Sequence, residues 1–167
     1  PGVVGPEEVV EPCVAMWAAS RPVRPRLEMR MGIYVVEAVT PPARMVPGGM
    51  RAAETWEVAE LIPWMEGFER DTGIFSTGAA DTVQRLVAAR ALYLWKVDEA
   101  PVSMAGVSGA TPNGVRVGYV YTPPEHRGRG YATALTAELS QFLLDEGRRF
   151  CFLYTNLADP VANGMYR

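Results

Sequence analysis

The sequence is short of what several classes of protein require. Its two cysteines, Cys13 and Cys151, stand far apart in 167 residues, and nothing near either of them suggests metal-ligand spacing. Neither a disulfide framework nor a zinc site is expected, and reduced thiols in the cytoplasm are. No apolar run approaches the roughly 20 residues of a membrane span. No leader of charged and then apolar residues opens the chain, although it starts at Pro1 rather than Met and a natural start upstream is expected. A net charge of -3 leaves no basic surplus for nucleic acid. Internal repeats and low-complexity tracts are also missing.

What is present is the composition of a globular protein. With 49% hydrophobic residues the chain can bury one sizeable core, enough for one domain plus a fragment. Residues 1–30 are rich in proline, with one short helix expected around Glu7–Ala19. Met31–Val39 is a strand candidate, and Thr40-Pro-Pro-Ala-Arg-Met-Val-Pro-Gly-Gly49 is punctuated as a linker. The division expected is an amino-terminal segment, 1–45, and a main domain, 46–167. Met50-Arg-Ala-Ala reads as a short strand. Glu54–Arg70 carries a helical stripe of Trp56, Leu61, Trp64, Met65 and Phe68, with Pro63 expected to kink or split it. Asp81–Arg90 reads as a helix capped by Asp81. Tyr93–Val97 and Val102–Gly109 are strands joined by a hairpin turn, and Thr111-Pro-Asn-Gly114 turns into the next strand.

The chemistry concentrates in Val120-Tyr-Thr-Pro-Pro-Glu-His-Arg-Gly-Arg-Gly-Tyr-Ala-Thr133. Val115, Val117, Tyr119 and Tyr121 alternate as a strand that stops at a proline pair. From Tyr131 the apolar residues Leu135, Leu139, Phe142 and Leu143 follow the helical period, with Gly147 as the stop. Gly128 and Gly130 lie between. The first N–H groups of a helix have no internal partner and carry partial positive charge. Glycines let that backbone approach a ligand, so the turn reads as a cradle for phosphate or pyrophosphate. It lacks the Gly-Lys-Ser/Thr of a Walker loop. It also lacks the third glycine of the dinucleotide fingerprint, where Thr133 stands.

Arg127-Gly-Arg-Gly130-Tyr-Ala132 fits Arg/Gln-x-x-Gly-x-Gly/Ala, and in its strand-and-helix setting resembles the acetyl-coenzyme A signature of the GNAT superfamily of N-acetyltransferases. A second segment carries the same resemblance. The apolar run Phe150–Thr155 reads as a strand covered on both faces, Asn156-Leu-Ala-Asp-Pro160 as a turn, and Asn163 and Tyr166 share a face of the helix that follows. Leu153 through Tyr166 looks like the segment in which one GNAT subgroup carries an Asn near the cofactor and a Tyr near the thioester sulfur. The resemblance implies an α/β (α+β) fold with a mixed, mainly antiparallel sheet flanked by helices, short of its last two strands because the chain stops at Arg167. Gly2–Gly5, Trp17 and Tyr34–Pro42 look like the connection in bacterial proteins that join a degenerate amino-terminal GNAT half to an active one.

The same resemblance implies the site. Acetyl-CoA would be the co-substrate and a primary amine of a small molecule or peptide the acceptor, by direct attack in a ternary complex and without a metal. Cofactor-binding residues would be Val120, Tyr121 and Thr122 at the strand end, Arg127, Gly128, Arg129, Gly130, Tyr131, Ala132 and Thr133 in the turn, and Asn156 and Asn163 beyond. Tyr166, with an unperturbed pKa of about 10, would give the departing thiolate its proton. A homodimer is a further expected partner. No base is assigned: Val115–Thr122 has no carboxylate, Glu66, Glu69 and Glu125 read equally as surface charge, and His126 reads as a turn residue or phosphate neighbour. The missing strand carboxylate keeps a non-catalytic acyl-CoA-binding module in view. A mononucleotide-binding module is disfavoured because the turn has no lysine.

Overall fold

A computed structural model of the chain describes residues 2–74 and 78–165. It divides into two compact units between Arg30 and Met31. In the first, helix α1 (Glu7–Ser20) opens with Glu7 and Glu8, whose charge suits a helix amino terminus, and none of its residues is buried. Arg30 pairs with Glu7 at 3.1 Å.

The second unit is built on a sheet of β1 (Met31–Val36), β2 (Gly49–Ala52), β3 (Leu92–Val97), β4 (Ala100–Ser108), β5 (Gly114–Tyr121) and β6 (Phe150–Asn156). Their order across the sheet is β1-β6-β5-β4-β3-β2, and every neighbouring pair is antiparallel except β5 with β6. β1 pairs along β6 from Met31 opposite Asn156 to Val36 opposite Cys151. Strand 31–36, expected in the amino-terminal segment, thus shares a sheet with residues beyond 46. Asp98 and Glu99 both take positive φ, 47° and 66°, and close the β3–β4 hairpin in two residues.

Helices cover both faces. α2 (Val58–Thr72) and α3 (Ala79–Ala88) place Leu61, Met65, Val83 and Leu86 against Leu92, Leu94 and Met104. On the other face α4 (Tyr131–Asp145) places Leu135, Leu139 and Leu143 against Val115, Val117 and Cys151. Burial pushes the Cys151 thiol pKa up, which keeps it protonated and inert. A short helix, α5 (Pro160–Met165), follows β6.

Three local expectations change. Pro63 neither splits nor ends α2; it lies within the helix after a 3₁₀ turn at Thr55–Glu57. That turn is fixed by a capping box of Glu54 and Glu57. α3 starts two residues before Asp81, with Gly78 at its cap position, so Asp81 lies in the first turn instead of capping. Only Cys151, Leu153 and Thr155 of β6 are buried, in strict alternation. The run is therefore covered on one face, and the half-buried Phe150 and Phe152 and the exposed Tyr154 pack against each other, Phe150 to Phe152 at 6.3 Å and Phe152 to Tyr154 at 6.0 Å.

Candidate active site

The sheet opens where β5 and β6 meet. Their parallel pairing covers only Gly114–Arg116 opposite Phe150–Phe152, after which β5 runs on to Tyr121 and β6 to Asn156 unpaired with each other. Just beyond the parting, β5 bulges. Gly106 faces Gly118 and Met104 faces Tyr121, so three steps of β5 match two of β4. Tyr119 takes up the extra residue at φ 52°, a conformation that costs a bulky side chain of order 1 kcal/mol or more. The bulge turns Tyr119 towards α2, where its ring meets Phe68 edge-on at 5.7 Å, while Val120 packs on the α4 side.

β5 then leads into the glycine turn. Gly128 and Gly130 take φ of 72° and 87°, and α4 starts with no side-chain cap and no acidic residue in its first turn. The first backbone bond of the helix runs from the Ala134 N–H to the Gly130 carbonyl at 3.0 Å. The N–H groups from Gly128 through Thr133 find no acceptor among the described residues. Unsatisfied donors at a helix start, exposed from Gly128 to Gly130, favour an anion.

The flanking arginines divide the work. Arg127 braces the turn: Nε donates to the Thr122 carbonyl at 2.9 Å, Nη2 pairs with Asp71 of α2 at 2.5 Å, and the guanidinium lies 5.5 Å from the Tyr121 ring centroid. Its own N–H donates to the Pro124 carbonyl at 3.3 Å. Arg129 is exposed and makes no ion pair among the described residues. Thr122 is tied down as well. Ser103 Oγ donates to the Tyr121 carbonyl at 3.1 Å and shares a hydrogen bond of 2.9 Å with Thr122 Oγ1. His126 lies in the 3₁₀ turn before the glycines, and its buried Nδ1 has no partner among the described residues.

Behind the parted strands, on the α4 side, lies a cavity of about 490 Å³. Val117, Thr133, Thr136, Leu153, Tyr34 and Met165 are among its lining residues. Thr136 Oγ1 is buried there without a partner among the described residues. Asn163 is buried and fully engaged: Nδ2 donates to the carbonyls of Asn156 and Asp159 at 2.8 and 2.5 Å, and Oδ1 accepts from the Tyr34 hydroxyl at 3.0 Å. Asn156 Oδ1 accepts from the Ala158 N–H at 2.9 Å. The expected proton donor, Tyr166, lies outside the described residues. Glu125 and Glu66 are exposed and Glu69 half-buried.

The family model of the acetyltransferase (GNAT) family matches residues 53–167. The chain belongs to that family. No curated protein matches it in sequence. Solved structures share its fold at low identity. A GNAT-family protein of Novosphingobium aromaticivorans is 23% identical, with a TM-score of 0.57 over 87% of this chain and 63% of its own. This chain thus spans less than two thirds of that relative. A Clostridium acetobutylicum structure with acetyl-CoA is 17% identical, with a TM-score of 0.55 over 71% of this chain and 85% of its own. The PaiA N-acetyltransferase of Thermoplasma acidophilum, in complex with coenzyme A, is 15% identical, with a TM-score of 0.56 over 72% and 87%.

Within this GNAT domain, several residues that shape the site escape a reading by local pattern. Tyr34 and Asp71 reach it across 129 and 56 residues from their partners. Ser103 offers a faint signal, as a hydroxyl in the apolar run of β4. Gly118 offers another, since a glycine inside a strand often marks a bulge.

Proposed function

We propose that the chain is an N-acetyltransferase that moves an acetyl group from acetyl-CoA to a primary amine of a small molecule or peptide. The observation that carries the reading is the row of unpartnered amides from Gly128 through Thr133 beside strands that have parted. A diphosphate is the ligand that such a row fits, with exposed Arg129 adding charge. Acetyl-CoA supplies an activated acetyl thioester.

The chain's own residues then hold and polarise. The bulge at Tyr119 and Val120 breaks the β5 ladder where a thioester carbonyl would need a donor, and a positioned donor at a developing oxyanion is the largest single aid to acyl transfer. Asn163 acts by position: it fastens the end of β6, the start of α5 and Tyr34 together. In the reaction a C–N bond forms to the acetyl carbon and the C–S bond breaks. The amine gives up a proton to water, the thiolate takes one from Tyr166, and water returns a proton to the tyrosine.

The test is a thermal shift followed by an assay. Acetyl-CoA should raise the melting temperature and ATP at equal concentration should not, since only a ligand that binds the folded state stabilises it. With a panel of amines, CoA release should follow, and Tyr166→Phe should slow it while leaving acetyl-CoA affinity largely intact. An equal response to ATP sinks the assignment. The absence of a carboxylate on β5 favours a second reading, a non-catalytic acyl-CoA-binding module. Binding without CoA release from any amine would select it.

A further inference from the structure

Arg116 occupies the apex of the cleft. Opposite Phe152, it is the last residue of β5 to pair with β6 before the two diverge. Its neighbours Val115 and Val117 pack towards α4, so strand alternation sends Arg116 to the opposite face. There its guanidinium lies 6.0 Å from the Tyr119 ring centroid and 5.9 Å from that of Tyr154, one ring from each diverging strand. Nε donates to Ser108 Oγ at 3.0 Å. Among the described residues no carboxylate pairs with Arg116, and its two Nη groups have no acceptor.

A half-buried guanidinium, fixed in orientation and left with its outer fork open, is built to take a planar anion. Cation–π attraction to the two rings, each about 6 Å away, favours this orientation without using the donors of the fork. The fork also lies against the residue that forms the bulge, next to Val120. The cradle and the cavity lie with α4, while Arg116 looks out from the face that α2 borders. An acceptor must meet the thioester from the side its carrier does not fill.

We propose that Arg116 binds the carboxylate of the acceptor, and that the acceptor is an amino acid, carrying its amine within a few bonds of that carboxylate. The inference rests on the acetyltransferase reading and narrows its substrate. Arg116 touches substrate but takes no part in the bond exchange. Ser108 and the two tyrosines are positioning residues.

The test starts with a titration of the chain with acetyl-CoA, which must bind for the acetyltransferase reading to stand. The saturated protein is then titrated with alanine, phenylalanine and glutamate, each against its own α-amide. At least one acid should bind ten times or more tightly than its amide. Arg116→Gln should abolish that difference, leaving affinity for acetyl-CoA and for the amide as it was, and Arg116→Lys should retain part of it. Equal binding of acid and amide, no binding of any acid, or a preference that survives in Arg116→Gln overturns the proposal while leaving the parent reading in place. Should the Gln variant fail to fold, the wild-type comparison and the Lys variant decide alone. A loss of acetyl-CoA binding in the wild type would remove both.

Discussion

Single side chains in this molecule show how the same residue type can serve opposite ends. Arg51 and Arg116 are both half-buried, yet Arg51 is paired on both sides of its fork with Glu57, at 2.6 and 2.7 Å, and so is structural. The Arg51 hydrogen bonds hold the Glu57 carboxyl below its usual pKa, against the opposing effect of burial. A carboxyl depressed in the folded state contributes stability above its unfolded pKa of about 4.3 and loses it as pH falls through the folded value. Glu57→Gln should therefore cost about 2 kcal/mol at pH 7. In denaturant titrations the gap to wild type should close below about pH 4. A gap that is constant with pH would place the loss in packing. The glycines of the turn were readable from the sequence because their positive φ is what other residues avoid. Tyr119 was not, since a bulge that strains a tyrosine is imposed by neighbouring strands and leaves no mark on the tyrosine itself.

At the level of elements, the strand, turn and helix around residues 114–145 were legible because each has its own period and the breaks between them are prolines and glycines. β6 misled because its aromatic residues are as apolar as core residues while their rings pack at steep angles against one another on the face opposite Cys151 and Leu153. The arginine pair was legible only as a motif: the partner that separates their roles, Asp71, sits at the far end of α2. Two substitutions test the cradle. Arg129→Glu puts a negative charge beside the free amides and should weaken acetyl-CoA binding tenfold or more with little change in melting temperature, whereas unchanged affinity would remove Arg129 from the site. Gly130→Ala forces a Cβ onto φ 87° and to within 3.2 Å of Val46. It should lower both stability, by about 1 kcal/mol, and affinity. Calorimetry reads both quantities.

For the whole molecule, the two compact units predict different responses to one reagent. Cys13 is exposed in the unit before Met31, and Cys151 is buried in the core of the other. A thiol label should therefore add once to the native chain and a second time only at denaturant concentrations that unfold the sheet. Two rapid additions would mean that the α4 face of the sheet opens without global unfolding. Local pattern marked most elements of the domain, while the sheet order, with β1 beside β6, depends on pairing across more than a hundred residues and carries no local signature. The parting of β5 from β6 has a last consequence. Past Arg116, main-chain donors and acceptors that would zip two strands together look instead into a gap, and in the free protein water must serve them. The sheet is thus a fabric left with one seam unsewn, and a guest bearing amides of its own can act as the missing thread, so that closing the seam and filling the cleft become one event.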